Sequence, residues 1–329
     1  MSLEFFTSKD LPSAIEQETV RFLDSQTGSH PFQFPQWADS GTRFALLRQA
    51  GRICWFANCG TQFPLGSRLK GFRALTINRG PVCDDLSLWR SGLSHLVEEM
   101  RQEGLVYVDC APDWLQMAPK PALEFESNWK ALSAGRVSLR LDLTKTSDEL
   151  LAQFRKNTRY EVRRAERANL TVAPATGPAE MEEFLSLYLR LAGRKGFSAD
   201  SPDHLRTILR WIIAEPSRGA LLLARDSDGT AGGAVIVRSG KRCWYVWGAN
   251  DKREHVSAGH SLQWHALLWA QSQGCTEYDF GGYTPGATSG PAWFKEGFAG
   301  ETVHFVPAHR YVFRARCHAI VQAVARMRR

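Results

Sequence analysis

The sequence contains no long hydrophobic run. No stretch of its 329 residues approaches the roughly 18 apolar residues that a membrane-spanning helix needs. The N-terminus places Glu4, Lys9 and Asp10 among a few apolar residues, so it also lacks the apolar stretch of a signal peptide. We therefore expect a cytoplasmic protein.

Paired cysteines and metal-binding motifs are also missing. The seven cysteines are scattered without a C-x-x-C pair, so we expect reduced and mostly buried thiols. His255, His260 and His265 are close in sequence, but their spacing does not put three ligands on one helical face. No P-loop and no G-x-S-x-G motif is present. These absences predict a protein that uses no metal ion and no cofactor.

Acidic residues are fewer than basic ones, which gives a net charge of +7. A basic balance favours polyanionic partners such as nucleic acid, phosphorylated metabolites or an anionic membrane surface, provided that the charge is clustered. The hydrophobic and charged fractions, 43% and 23%, are those of a folded globular protein, and the length is sufficient for two domains.

Residues 1–140 predict a first domain of mixed α/β structure. A helix-like stretch runs from Leu86 to Glu103, with apolar residues such as Leu93, Leu96 and Met100 recurring at helical spacing. Strand-like runs surround it, at Phe44–Leu47, Ile53–Asn58 and Val106–Cys110.

Residues 141–305 predict a second domain. The alternating strand Val137–Leu143 leads to Ser147, a predicted N-cap, and to one long helix from Asp148 to about Asn169. The later elements are helices Pro178–Ala192, Asp203–Ala214 and Ser257–Gln273, and strands Ala220–Ala224, Gly233–Val237, Arg242–Trp247 and Glu277–Phe280. Helices, a β-meander, a helix and a strand, in that order, are typical of acetyltransferase-like (GNAT) domains. A blurred version of this order in the first domain indicates an internal structural duplication.

Residues 306–329 are the third segment. Tyr311 to Arg329 predict one basic amphipathic helix that packs on the first domain and offers arginines to RNA or to anionic lipid head groups. A solvated helix end is the alternative.

Two glycines come at the end of the predicted strand that begins at Glu277. Gly281 and Gly282 let the backbone approach a ligand closely, because glycine has no side chain and tolerates positive φ; an ordinary tight turn is the alternative. Asp279 either orients or deprotonates an attacking amine, or binds backbone amides at this turn.

Lys295 lies between Phe294 and Phe298 in a glycine-flanked loop, a poor position for a merely solvated cation. Acyl transfer from an ester to an amine builds negative charge on the carbonyl oxygen, and one preorganised donor there is worth about 3–4 kcal/mol. Lys295 is therefore the predicted catalytic donor, and Asp279 is the second catalytic candidate.

Arginines recur every four residues on the predicted long helix, at Arg155, Arg159, Arg163 and Arg167, and Lys156 is adjacent. Side chains at this spacing form a stripe on one side of a helix. Such a stripe binds phosphates in RNA or in a diphosphate, or else it is a solvated helix face.

These motifs together resemble the FemABX aminoacyltransferases, which build peptidoglycan bridges and have tandem GNAT-like folds. The matching segments are Phe154–Tyr160, Arg163–Glu166, Tyr278–Gly282 and Phe294–Glu301, with Tyr245–Asn250 and Gln263-Trp264, and more weakly Gln36-Trp37 and Arg79-Gly80-Pro81. The resemblance therefore spans nearly the whole chain.

The resemblance implies an aminoacyl-tRNA donor and the amine of a muramyl peptide, nucleotide-linked or lipid-linked, as acceptor. It implies that Lys295 faces the aminoacyl group or its phosphate-rich carrier, and that Arg194 and Lys195, in a basic loop, face a pyrophosphate. The predicted substrate-binding residues are Gln36, Trp37, Arg79, Arg155, Lys156, Asn157, Arg159, Tyr160, Arg163, Arg194, Lys195, Gly281, Gly282 and Phe294.

The sequence departs from the loop with which CoA-dependent GNAT domains hold pyrophosphate. That loop reads Q/R-x-x-G-x-G/A and presents backbone amides at a helix N-terminus. Here Arg253–Ala258 has Val256 at the central glycine, and a β-branched residue hinders close backbone approach, although Gly259 could support a shifted loop.

We therefore predict an α/β protein with mixed sheets in tandem GNAT-like domains, the first for substrate recognition and the second for catalysis. It transfers an amino acid directly from aminoacyl-tRNA to a muramyl-peptide amine at the inner face of the membrane. One alternative is an N-acyltransferase of the same fold with an acyl-thioester donor, acting on a secondary metabolite or surface glycan. A non-catalytic RNA-binding protein is the alternative of another class.

Overall fold

The computed structural model describes residues 2–39, 41–116, 123–132, 134–251, 253, 256–286, 288 and 290–327. The chain divides into two compact units, of which unit 1 comprises Met1–Arg136 and His304–Arg329, and unit 2 comprises Val137–Val303. No helix in the described ranges is both long and apolar enough to cross a membrane.

The described chain contains 14 strands and nine α-helices. The strands are β1 (Leu3–Thr7), β2 (Arg43–Gln49), β3 (Arg52–Gln62), β4 (Ala74–Asn78), β5 (Tyr107–Ala111), β6 (Trp129–Ala131), β7 (Val137–Asp142), β8 (Thr171–Pro174), β9 (Gly219–Asp226), β10 (Gly229–Ser239), β11 (Arg242–Asn250), β12 (Glu277–Gly282), β13 (Glu301–His304) and β14 (His309–Val312). The helices are α1 (Ser13–Ser25), α2 (Leu86–Arg101), α3 (Ser147–Gln153), α4 (Lys156–Arg167), α5 (Pro178–Lys195), α6 (Pro202–Ala214), α7 (Ala258–Ser272), α8 (Gly290–Glu296) and α9 (Ala315–Met327).

Unit 1 is built on a mixed sheet in the order β1-β2-β3-β4-β5-β14-β6. Helix α2 covers one face, because Leu93, Leu96 and Met100 form the apolar stripe that the sequence spacing predicts, and all three are buried. The side chain of Asp85 accepts a hydrogen bond from the Leu88 amide and so caps the start of this helix.

The last segment of the chain is not one helix. Tyr311 and Val312 belong to β14, which pairs with β5 on one side and β6 on the other, and α9 begins only at Ala315. The prediction of a helix from Tyr311 was wrong because central pairing in a sheet buries Tyr311 and outweighs local helical spacing. Arg328 and Arg329 lie outside the described residues.

Unit 2 contains a second mixed sheet, in the order β13-β7-β12-β11-β10-β9-β8. Its interior strands β9 and β10 are buried along most of their length, which explains their nearly continuous apolar sequence. Helix α7 packs on this sheet through Leu262, Ala266 and Ala270, spaced four residues apart and all buried.

The predicted long helix from Asp148 to Asn169 is interrupted. Thr146, not Ser147, is the N-cap of α3, in a capping box with Glu149. Phe154 and Arg155 are then extended, and α4 starts at Lys156. The prediction of one helix was wrong because tertiary contacts compensate for the break: Phe154 is buried against Phe298, and the Arg155 amide donates to the Gly297 carbonyl.

Candidate active site

The site in unit 2 lies where the parallel strands β11 and β12 stop pairing. Their ladder runs from Arg242 opposite Glu277 to Trp244 opposite Asp279 and then ends, although both strands continue. Pairing of β12 with β7 is also irregular between Asp279 and Gly282. The end of β12 therefore departs from regular pairing, and its Gly281 amide and Gly282 carbonyl bond to side chains instead.

Gly281 has a backbone conformation that favours glycine, with φ of +74°. A Cβ atom at this position would lie 3.5 Å from the Tyr245 carbonyl oxygen and 3.8 Å from Lys295 Nζ. These are ordinary contact distances, so the conformation requires glycine here more than the available space does.

Lys295 reaches the end of β12 from helix α8. Its Nζ donates a hydrogen bond to the Gly282 carbonyl oxygen at 2.9 Å. An ammonium group has three donors, and the residues that the structure describes use one of them, so two remain for a substrate. Burial lowers the pKa of Lys295 from 10.5 to about 8, and the Asp279 carboxylate opposes this shift. Near neutral pH the side chain is therefore still mostly protonated, but close to the point at which it loses its proton.

Aromatic packing holds the segment that carries Lys295. Phe298 is fully buried, and its ring centroid lies 5.4 Å from that of Phe294. Phe294 in turn packs edge-on to His260 at 4.8 Å. These contacts on both sides of Lys295 fix the backbone from which its side chain extends.

Asp279 is fully buried and accepts several hydrogen bonds. Its carboxylate receives the Ser138 hydroxyl, Arg140 Nε at 2.9 Å and the Gly281 amide at 2.8 Å. A carboxylate held this way binds a backbone amide at the turn, the second of the two roles expected for it. The geometry therefore favours Asp279 as a residue that positions the glycine pair.

A row of charges continues from Asp279 across three strands. Arg140 Nη1 lies 3.8 Å from Glu277, and Glu277 accepts from Arg242 Nε at 2.5 Å. These side chains occupy paired or alternate positions of β7, β12 and β11, which places them on one face of the sheet. The row keeps the buried charges of Arg140 and Asp279 compensated.

The arginine stripe divides into structural and exposed members. Arg155 donates to Glu296 at 3.1 Å, and Arg159 donates to the carbonyl oxygens of Ala152 and Phe154 at the end of α3. Arg163 is exposed, and among the described residues its side chain has no hydrogen-bond or ion-pair partner. Only part of the predicted phosphate-binding stripe is therefore available to a ligand.

Three further predicted residues lie on the exposed side of α4. Lys156 and Asn157 form its first turn, and Tyr160 is half exposed one turn later. All three are accessible to a large ligand.

Arg194 and Lys195 occupy the last turn of α5, and Gly196, with φ of +69°, ends the helix. The sequence-based expectation of a basic loop was therefore wrong for these two residues. Both side chains are exposed, but the C-terminal end of a helix dipole is unfavourable for an anion. Phosphate binding here would depend on the side-chain charges alone.

Two of the three residues predicted in unit 1 lie against the ring of Phe32. Trp37 packs on Phe32 with centroids 5.0 Å apart, and Arg79 stacks over the same ring at 5.9 Å. Gln36 donates to Glu16 at 2.7 Å. These contacts give Gln36, Trp37 and Arg79 a structural role within unit 1. The role of the three residues in substrate binding stays a prediction.

Side chains cover the N-terminal turn of α7, where a CoA-dependent GNAT domain would bind pyrophosphate. A Cβ atom on Gly259 would meet Asn250 at 2.9 Å and the ring of Phe294 at 3.6 Å. Ser257 and His260 hydrogen-bond to each other at 2.7 Å, and burial lowers the pKa of His260 to about 4. Of the predicted atypical loop, Glu254 and His255 lie outside the described residues, and Arg253 pairs with Asp226.

Sequence reasoning missed the residues that support the site. Ser138 and Arg140 are about 140 positions from Asp279 in sequence, and only the register of β7 against β12 brings them together. Glu296 accepts from the Gly286 amide as well as from Arg155, and so ties the loop after β12 to the start of α4. An acidic residue directly after Lys295 was the available signal. In the described part of the chain no cluster of His, Cys, Asp and Glu could hold a metal ion.

Comparison with known proteins relates this geometry to a fold family. The acetyltransferase (GNAT) domain model matches residues 152–296. The UDP-N-acetylmuramoylpentapeptide-lysine N(6)-alanyltransferase of Weissella viridescens is 22% identical over 149 residues, which are 45% of this chain and 44% of the relative. The chain thus matches less than half the length of that curated relative.

Solved structures match the chain over nearly its full length. FemX covers 97% of this chain and 99% of its own, with a TM-score of 0.79 and 16% identity. A tandem GNAT protein from the clavulanic acid biosynthesis pathway covers 95% and 99%, with a TM-score of 0.54 and 12% identity. These findings confirm the predicted tandem GNAT-like α/β fold and the resemblance to the FemABX proteins.

Proposed function

We propose that the protein is an aminoacyltransferase that moves an amino acid from aminoacyl-tRNA to an amine of a peptidoglycan precursor. The observation that carries the proposal is the position of Lys295. Its ammonium group binds Gly282 at the open end of β12, with two donors left over. A group in this position is suited to an oxygen that becomes negatively charged during acyl transfer.

The reaction needs little more than positioning and one such donor. The acceptor amine attacks the ester carbonyl, a C–N bond forms, and the bond from the carbonyl carbon to the ribose oxygen breaks. The amine loses a proton and the departing ribose hydroxyl gains one. Lys295 stabilises the oxyanion between these two steps, and Asp279 acts indirectly by holding the Gly281 amide.

Separate observations support tRNA as the molecule that carries the transferred amino acid. Phe294 and Asn250 lie against Gly259 in the first turn of α7, so they crowd the place where CoA pyrophosphate would bind backbone amides. Lys156 and Arg163 are exposed on α4, where they can contact phosphates of a larger carrier. The aromatic side chain at the first turn of α7 and the exposed cations on α4 together favour a polynucleotide as the carrier of the amino acid.

The proposed acceptor follows the relatives. The Weissella viridescens protein is named an alanyltransferase acting on the lysine of a UDP-N-acetylmuramoylpentapeptide. We propose a muramyl-peptide amine of the same chemical class here, nucleotide-linked or lipid-linked, reached by a cytoplasmic protein at the inner face of the membrane.

A transfer assay tests the donor and the acceptor together. Purified full-length protein is mixed with total tRNA charged with labelled amino acids and with a muramyl peptide, and the labelled amide is quantified. RNase treatment should abolish product. Lys295→Met should reduce it strongly, whereas Lys9→Met, at an exposed lysine of unit 1, should not.

Two outcomes would overturn the proposal. Product that survives RNase but requires acyl-CoA would identify a thioester-dependent N-acyltransferase of the same fold. Tight tRNA binding without amide formation from any donor would identify an RNA-binding protein, for which the contact of Lys295 with the end of β12 has no purpose.

A further inference from the structure

The loop between β3 and β4, residues 63–73, packs beside helix α9 in unit 1. Leu65 and Phe72 of this loop share an apolar cluster with Cys317 and Val321 of the helix. The Arg314 side chain also donates to the Gly71 carbonyl at 3.0 Å. Residues 63–73 and 314–327 therefore form one continuous surface, which we call the loop–helix surface.

Large apolar side chains are exposed on this surface. Phe63 is 38% exposed, Leu69 50%, Ile320 48% and Met327 77%. Ile320 and Met327 are seven residues apart and Arg316 is four residues before Ile320, a spacing that puts all three on one flank of α9. On a different side of α9, Val321 is buried and Cys317 packs in the same cluster, so one side of the helix is attached to unit 1 and the other is exposed.

All charged side chains of the loop–helix surface are basic. Arg68, Lys70, Arg316 and Arg326 are exposed, and residues 63–73 and 308–329 contain no Asp or Glu. The carboxylates of the neighbouring elements are already paired: Asp109 with Arg310 at 2.6 Å, and Glu103 with Arg43 at 2.5 Å. The exposed cations are therefore not neutralised locally.

We propose that the loop–helix surface docks this protein on the anionic face of a lipid bilayer. Basic side chains would lie at the head groups, and Leu69, Ile320 and Met327 would enter the boundary between head groups and acyl chains. RNA would equally attract the cations, but the apolar side chains favour lipid because they gain nothing from a phosphate backbone. Arg310 and Arg314 do not take part, because contacts within unit 1 already use them.

The proposal gives a physical basis for working at the inner face of the membrane, and to that extent it rests on the proposed function. Its test does not, because vesicle binding is measured without donor, acceptor or turnover. Vesicle binding without amide formation would support the docking surface and contradict the proposed function. Amide formation without vesicle binding would support the proposed function and contradict the docking surface.

The experiment is vesicle cosedimentation with the full-length chain. Vesicles of phosphatidylcholine are compared with vesicles that also contain about one third phosphatidylglycerol. The test variant is Arg68→Gln, Lys70→Gln and Arg316→Gln together. A matched control, Lys9→Gln, Arg52→Gln and Arg90→Gln, removes the same number of exposed charges elsewhere in unit 1.

A basic residue at an anionic surface contributes about fivefold to partitioning, so the test variant should bind anionic vesicles roughly 100-fold more weakly, with little change in the control. Leu69→Ser with Ile320→Ser should also weaken vesicle binding, roughly tenfold for each residue, and leave tRNA binding unchanged. Equal binding to neutral and anionic vesicles, or an equal loss in the control, would overturn the proposal. Weakened tRNA binding with unchanged vesicle binding would assign the surface to RNA.

Discussion

Replacing Lys295 with Met separates the catalytic role of this residue from its role in folding. Met has an unbranched side chain of similar length, so packing between Phe294 and Phe298 should persist while the charge and the donors disappear. Losing one preorganised donor at an oxyanion costs about 3–4 kcal/mol, which corresponds to a fall in kcat of about 10²–10³.

The stability of the same variant should not fall. The pKa of Lys295 is about 8 in the folded protein and 10.5 ordinarily, so the folded state binds fewer protons between these values. Wild-type stability therefore rises with pH from about 8 to 10.5, and below pH 8 the protein bears the full cost of burying the charge. Met removes that cost, so thermal unfolding at pH 7 should occur at an equal or higher temperature.

The assay measures kcat and KM in single variants, beside thermal melts at pH 7 and pH 10. A fall mainly in kcat supports the oxyanion role, whereas a rise mainly in KM assigns Lys295 to carrier binding. In the wild type, activity should decline as the pH rises through about 8, because the neutral amine is a weaker donor. Near-normal kcat in a folded Lys295→Met variant would refute the reasoning.

Further substitutions test the support of the site and the proposed contact with a carrier. Asp279→Asn should lower the free energy of unfolding by about 3–5 kcal/mol in urea titrations, since a buried arginine loses its carboxylate; a change below about 1 kcal/mol would contradict this. Gly281→Ala should cost about 1–2 kcal/mol through its positive φ and reduce kcat, and unchanged kinetics would separate this turn from the site. Arg163→Gln should flatten the salt dependence of tRNA binding by a slope of about 0.7–0.9 without changing stability. Arg159→Gln should instead lower stability, because its guanidinium binds the carbonyls that end α3. Lower stability in Arg163→Gln and a flatter salt dependence in Arg159→Gln would contradict the division of the arginine stripe into exposed and structural members.

Features that depend on local sequence could be predicted. Helix α2 follows from apolar residues at helical spacing, and β7 follows from the alternation that starts at Val137. The segment around Lys295 also stands out locally, since glycines and aromatic residues adjoin a single cation, and its catalytic role stays a prediction. These patterns do not need a partner elsewhere in the chain.

Features set by distant contacts could not be predicted. The break at Phe154 and Arg155 is stabilised by Phe298 and Gly297, which lie more than a hundred residues later in sequence. In the same way, the second expected role of Asp279, binding a backbone amide, matches the observed contacts, but its partner Arg140 follows only from strand register. The spacing of apolar residues along the sequence predicts neither the break in the helix nor the partner of Asp279.

The position of strand β14 in the sheet affects how the protein folds during synthesis on the ribosome. It fills the gap between β5 and β6, yet the whole of residues 137–303 is synthesised before it. The first unit to be translated therefore cannot be the first to finish folding, contrary to the usual N-terminal-first order. Until residues 309–312 emerge, β5 and β6 expose unpaired edges that can template aggregation. Nascent chains stalled after Val303 should consequently engage chaperones more than chains released at full length.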